Sequence, residues 1–145
     1  MKLTANFTLE EFTFSQTATR KGIDNAPPAE VVPHLTMVAA GMELVRALCG
    51  NRPIRVSSGY RCPALNRAVG GSETSAHVDG WACDFTVAGL TPKEVVRMIA
   101  GSKLNYDQVI EEGAWVHISF DPRMRRQNLI AKFKNGKASY TEGVA

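Results

Sequence analysis

Three residues of the sequence, His77, Asp84 and His117, have side chains that could hold a metal ion. Two imidazoles and a carboxylate commonly hold a catalytic zinc and leave one coordination position open for water. His77 and Asp84 are separated by six residues that include Gly80, and His117 lies far downstream. Spacing alone does not establish a metal site, because the same residues could form a buried histidine–aspartate hydrogen bond without metal. The elements that carry them must therefore bring the three side chains to one point.

The residues around Asp84 favour a β-strand over a helix. Gly80 weakens a helix interior, and residues 81–87 are rich in aromatic and β-branched side chains. We therefore expect His77 in a loop and Asp84 on the strand that follows. Because side chains alternate along a strand, Asp84 lies among small residues with an apolar row behind it. The same alternation in 115–120 places His117 on the face opposite Val116, Ile118 and Phe120.

A general base is predicted at the turn before His117. Gly113-Ala114 suits a two-residue hairpin turn, and that register pairs Glu112 with Trp115. Glu112 then shares the face of His117 at a diagonal distance of roughly 7–8 Å, within reach of a long side chain. A slip of one residue would present Glu111 instead, so Glu111 is the reserve candidate.

The remaining elements predict an α+β fold, with helices packed on a small antiparallel sheet that carries the zinc site. Capping boxes begin helices at Thr8 and Thr91, and Pro63 suits the first position of a short helix that ends near Val69. A long helix is predicted at about 29–48 from an apolar stripe with steps of three and four residues. The predicted strands are 54–58, 81–87, 107–112, 115–120 and 129–133.

Composition limits the class of protein. At 145 residues the chain fits one domain, 1–145, and a net charge of +3 does not by itself indicate nucleic-acid binding. Three cysteines without a CxxC pair do not form a disulfide framework. No signal peptide or membrane-spanning segment is recognisable, so we expect synthesis in the cytoplasm. The C-terminal segment is basic and suits either an anionic cell-envelope polymer or a solvated sheet edge; its basic residues are Arg123, Arg125, Arg126, Lys132, Lys134 and Lys137.

Several motifs together resemble the zinc D-Ala-D-Ala carboxypeptidase family of peptidoglycan metallopeptidases. That family includes phage endolysins, and its superfamily includes the amino-terminal domain of hedgehog proteins. The resemblance covers most of the chain, from FTLEEF to WVHISF, and the motifs are SGYR at 58–61, Asn66, SAH at 75–77, Asp84 and WVHIS at 115–119. Where several relatives place their base three residues ahead of the last histidine, this chain has Ala114, and where others have a histidine two residues ahead it has Trp115.

The resemblance implies that one zinc ion is held by His77, Asp84 and His117. It makes Arg61 the cation that faces the substrate, where it would stabilise an oxyanion or hold a substrate carboxylate. Ser75 and Trp115 are the other expected substrate-binding residues, and Glu112 remains the expected base.

We therefore expect a zinc peptidase that cleaves the peptide stems of peptidoglycan, acting after release from the cytoplasm as a phage or prophage endolysin. The alternatives are a bacterial D-Ala-D-Ala carboxypeptidase and a non-catalytic, zinc-containing module that binds the cell wall. The expected chain is a monomer that binds no nucleic acid. Which bond of the stem would be cut is left open by the sequence.

Overall fold

The computed structural model describes all residues 1–145 and has five α-helices and six β-strands. The helices are α1 (Leu9–Thr13), α2 (Gln16–Lys21), α3 (Val32–Leu48), α4 (Pro63–Ala68) and α5 (Pro92–Ala100). The strands are β1 (Ile54–Ser58), β2 (Ala82–Val87), β3 (Gln108–Glu111), β4 (Val116–Ser119), β5 (Gln127–Lys134) and β6 (Lys137–Glu142). The expected α+β class is confirmed. No helix combines the length and the hydropathy that crossing a membrane requires.

The predicted helix starts have their local causes in the structure. Thr8 and Thr91 each form a complete capping box. The threonine hydroxyl accepts from the backbone N–H of a glutamate three residues later, and the glutamate carboxylate accepts from the backbone N–H of the threonine. The long helix α3 begins at Val32, three residues later than its predicted start, and its apolar stripe packs against the sheet. Leu48, which belongs to the predicted stripe, is 39% exposed because it occupies the last turn of the helix.

The six strands form one sheet in the order β1-β2-β4-β3-β5-β6. All neighbouring pairs are antiparallel except β3 and β5, which are parallel. The helices pack on one face and form a single core whose members include Phe12, Leu35, Met42, Phe85 and Ile118. The opposite face of the central strands is left free for a site.

The strand β6 is absent from the sequence-based prediction, although its turn has a clear signal. Asn135 and Gly136 both have positive φ, at 53° and 76°, and connect the paired residues Lys134 and Lys137. An Asn-Gly dipeptide between alternating strands is the strongest local signal for such a two-residue hairpin. We call residues 127–142 the C-terminal hairpin.

Three of the six basic residues of the C-terminal segment, all of them arginines, form hydrogen bonds within the protein. Arg125 donates to both carboxylate oxygens of the buried Asp107, at 2.8 Å each. Arg123 donates to Asp121 at 3.1 Å. Arg126 donates to the backbone carbonyls of Ala100, at the end of α5, and of Ser102 and Leu104 just after it, and lies over the Tyr106 ring. Only the lysines, at 132, 134 and 137, are left as exposed cations on the C-terminal hairpin.

Candidate metal centre

Two of the predicted ligands lie on adjacent central strands. Asp84 of β2 pairs directly with His117 of β4, and Ile110 of β3 pairs with His117 on its other side. Directly paired residues share a face of a sheet, so Asp84 and His117 project together from the face opposite the helices. Cys83 and Phe85 project into the core instead and are fully buried. The alternation predicted for both strands is therefore correct.

The third predicted ligand, His77, reaches the same point from the loop before β2. Its Nδ1 donates to the Gly59 carbonyl at 2.6 Å, which leaves Nε2 directed at Asp84. Gly59 lies against the backbone of Phe12, and a Cβ added there would collide with the Phe12 carbonyl. Gly80 ends the loop at φ +74°, and a side chain there would strike Val31. Gly59 therefore lets the chain after β1 pack against Phe12 with its carbonyl facing the His77 ring, and Gly80 lets the loop turn beside Val31 before β2.

The three side chains converge closely enough for one metal ion. His77 Nε2 lies 3.2 Å from Asp84 Oδ1, and His117 Nδ1 lies 3.0 Å from the same oxygen and 3.2 Å from His77 Nε2. Donors at about 2.0–2.1 Å from a tetrahedral zinc are separated by roughly 3.3 Å, so this donor set fits zinc. The bond from His77 Nδ1 to the Gly59 carbonyl is the kind of outer contact that orients metal-binding histidines.

The electrostatics of the cluster favour the protonation states that bind a cation. Burial lowers the pKa of His77 against the opposing effect of Asp84, which favours the neutral imidazole. Burial alone would raise the pKa of Asp84, but the neighbouring imidazoles of His77 and His117 hold it well below its usual range. Neutral imidazole and ionised carboxylate are the forms that coordinate metals.

The hairpin before His117 has the predicted register. Ile110 pairs with His117 and Glu111 with Val116, and the backbone N–H of Glu112 donates to the Trp115 carbonyl at 3.0 Å. Glu112 is half-buried and lines the same cavity as the three donor side chains. Burial is the main reason that its pKa is raised, with an opposing effect from His117.

Glu111, the reserve candidate for the base, lies on the other face of the sheet. It shares that face with Val109, which belongs to the core, and is only 6% exposed. Its Oε2 is buried and has no hydrogen-bond partner. The structure therefore places Glu111 away from the candidate site.

Arg61 and Ser75 form one side of the site. Arg61 Nη2 donates to the Ser75 hydroxyl at 3.1 Å, and the Arg61 backbone N–H donates to the His77 carbonyl at the same distance. The guanidinium Nε is buried without a partner. Burial lowers the pKa of Arg61, while the carboxylates of Asp84 and Glu112 favour its charged form. The group is thus a desolvated cation with hydrogen-bonding capacity left for a ligand.

One cavity of about 600 Å³ contains these groups. Its lining includes His77, Asp84, His117, Glu112, Arg61, Ser75 and Trp115, which are all of the site residues predicted from the sequence. The far wall comes from the C-terminal hairpin, which no sequence prediction assigned to the site, and consists of Leu129, Phe133, Gly136, Ala138 and Tyr140. The alternation of apolar residues on either side of Asn135-Gly136 is the sequence signal that would have predicted this wall.

Comparison with known proteins gives one family match. The family described as Peptidase M15 matches residues 5–119, which is most of the chain and includes every site residue predicted from the sequence. The match ends at the last residue of β4 and leaves the C-terminal hairpin outside it. No curated protein matches the chain significantly.

Proposed function

The chain belongs to the peptidase M15 family and is a zinc metallopeptidase, and from this premise we propose that it cleaves the peptide stems of bacterial peptidoglycan as an endopeptidase. The observation that carries the proposal is one cavity that holds the three donor side chains, the half-buried Glu112 and the desolvated Arg61. A general base and a cation on the same side of a sheet as a metal site are the parts that amide hydrolysis requires.

His77, Asp84 and His117 would hold the zinc ion. When bound, zinc supplies Lewis-acid chemistry and makes hydroxide available near neutral pH. Glu112 accepts the proton of the attacking water as the new C–O bond forms. It then gives that proton to the leaving amine nitrogen as the C–N bond breaks. Its raised pKa brings it closer to the range in which a group can both take and return a proton.

Arg61 binds the substrate on the opposite side from the base. Its guanidinium can donate to the carbonyl oxygen that becomes negative in the tetrahedral state, or to a substrate carboxylate. The bond to the Ser75 hydroxyl holds the guanidinium in place. Ser75 therefore orients Arg61 in addition to lining the cavity.

The shape of the surface around the donors favours an endopeptidase over a carboxypeptidase. A second depression of about 410 Å³ shares Arg61, Val69 and Asp84 with the main cavity and continues toward Phe14 and Tyr60. The main cavity and this depression therefore meet at Arg61 and Asp84, which supports a substrate chain that continues past the donor cluster. A carboxypeptidase of the D-Ala-D-Ala type is the second candidate, favoured by the ability of Arg61 to bind a terminal carboxylate. The third candidate is a non-catalytic module that binds the cell wall. Such a module would give no role to Glu112 in the cavity.

We propose an endolysin of a phage or prophage as the biological setting, with synthesis in the cytoplasm and action on peptidoglycan after release. The exposed lysines of the C-terminal hairpin would add contacts with anionic polymers of the cell envelope. Lysis of permeabilised bacteria that depends on an intact metal site would support this setting. Cleavage of isolated peptidoglycan without such lysis would support the proposed reaction and contradict the endolysin setting.

Digestion of purified peptidoglycan by the zinc-loaded protein tests the proposed reaction. Mass spectrometry of the products should find new amine and carboxyl termini inside the stem peptides or their cross-links. Release of free alanine alone would establish the carboxypeptidase instead. Binding to the wall without any new termini would establish the non-catalytic module. The matched control is His117→Ala, which removes one donor and should abolish the cleavage.

A further inference from the structure

The C-terminal hairpin extends the site face of the sheet beyond the part that matches the family. Leu129 of β5 pairs in parallel with Ile110 of β3, and Ile110 pairs with His117. Leu129 therefore shares the face of the donor cluster, and by alternation Phe133 does as well. Tyr140 of β6 pairs with Ala131 and so projects to this same face. The C-terminal hairpin therefore extends the site face of the sheet as one surface and forms the far wall of the cavity.

Two large aromatic side chains on this surface are unexplained by the packing of the fold. Phe133 is 55% exposed and Tyr140 is 54% exposed, yet both line the cavity that contains the donors. The reverse face of the hairpin carries Ile130 and otherwise polar side chains, among them Lys132, Ser139 and Thr141. Aromatic residues confined to the face of a site are typical of ligand-binding surfaces, because they give contact area with little conformational freedom to lose.

Tyr140 lines the same cavity as the donor cluster and Glu112. Partial burial, and then the carboxylates of Glu112 and Asp84, raise the pKa of Tyr140. The hydroxyl therefore remains protonated and is available to donate a hydrogen bond. The other lining residues of the hairpin offer only apolar side chains or glycine, so the tyrosine hydroxyl is the one side-chain polar group on this wall.

We propose that the C-terminal hairpin is a substrate-binding subsite that holds the peptide on one side of the scissile bond. Phe133 and Tyr140 contact short aliphatic side chains of that segment, and the Tyr140 hydroxyl donates to one of its backbone carbonyls. An apolar wall with a single donor suits a chain of small residues better than a charged side chain. Naming stem peptides as the occupant rests on the proposed function, whereas the placement of the subsite rests on the geometry of the hairpin.

Peptide binding measured without turnover tests the subsite. The protein is zinc-loaded Glu112→Gln, and the probe is a purified peptidoglycan stem peptide titrated by calorimetry. Tyr140→Ala and Phe133→Ala should each raise the Kd about tenfold, as expected for truncation of an aromatic in a binding site. Tyr140→Phe keeps the ring and should raise the Kd by about threefold, the loss of one hydrogen bond. Thr141→Ala is the matched control on the reverse face and should leave the Kd unchanged within about twofold.

Kinetics separate this role from a structural one. In the active protein, Tyr140→Ala should raise KM with little change in kcat, while zinc content and circular dichroism stay those of the wild type. Equal Kd values for Tyr140→Ala and Thr141→Ala, or no binding of the peptide by any form, would overturn the subsite. Peptide binding that needs Tyr140 in a protein that produces no new termini would keep the subsite and overturn the peptidase reaction.

Discussion

Replacing Glu112 by glutamine separates its proposed role as base from any structural role. Glutamine keeps the volume and the hydrogen-bonding reach of the side chain but cannot accept a proton at neutral pH. Glu112 follows the last residue of β3 and is half-buried, and no hydrogen bond of its side chain supports the fold. Because burial raises the pKa of Glu112, its ionised form is disfavoured in the folded protein. The substitution should therefore leave zinc content unchanged and should maintain or slightly raise stability at neutral pH.

The expected loss of activity follows from general-base catalysis. Removal of a general base typically costs about 10²–10⁴-fold in rate, which corresponds to about 2.7–5.4 kcal/mol of transition-state stabilisation. The cavity around Glu112 is partly desolvated, and neither of the other carboxylates that line it is free to replace Glu112, since Asp84 belongs to the donor cluster and Asp107 accepts hydrogen bonds from Arg125. We therefore expect a loss in kcat of at least about 10³-fold, the middle of that range, with a smaller change in KM.

The matched control is Glu111→Gln on the adjacent residue. Glu111 projects to the core face, so its substitution should leave kcat within about twofold of the wild type. Both variants are assayed for release of new termini from peptidoglycan, for zinc content and for thermal unfolding. A larger kcat loss in Glu111→Gln than in Glu112→Gln would refute the assignment of faces. Loss of zinc from Glu112→Gln would refute its role as base, because the residue would then belong to the metal site.

Three further predictions concern the metal and the fold. His117→Ala should abolish stoichiometric zinc binding measured by metal analysis. Cys83→Ala should retain zinc binding, because the thiol lies in the core; the reverse result would show that β2 presents its other face to the site. Gly59→Ala should weaken zinc binding by about 10–100-fold in a competition assay with a chelator, since the displaced Gly59 carbonyl would no longer orient His77; an unchanged affinity would contradict that role. Hydrogen bonds from Arg125 lower the pKa of Asp107 to about 2, so the stability that Asp107 contributes is present above about pH 4 and is lost as the pH falls toward 2. Asp107→Asn should therefore lower the free energy of unfolding measured in urea at pH 7, and the difference from the wild type should shrink toward pH 2. A difference that does not depend on pH would refute the contribution of the ionised Asp107 carboxylate to stability.

Local patterns in the sequence determine much of the candidate site. Alternation along β2 and β4 is a property of the extended backbone, so the faces of Asp84 and His117 follow from residue order alone. The two-residue turn fixes the register that separates Glu112 from Glu111, because each turn length permits only one pairing. The capping boxes act in the same way, since both partners lie within one helical turn.

The long-range arrangement of the C-terminal part is decided only by the tertiary structure. After β4 the chain returns to the free edge of β3, and this makes β5 parallel in a sheet whose other pairs are antiparallel. Residues 120–126 contain no local pattern that specifies this edge; the pairing of Arg125 with the buried Asp107 helps to fix it. The aromatic wall opposite the donor cluster depends on that edge, because Phe133 and Tyr140 reach the cavity only when the hairpin lies beside β3. Short-range periodicity thus determined the faces of Asp84 and His117, while packing between residues distant in the sequence decided how His77 reaches them and what surrounds the donor cluster.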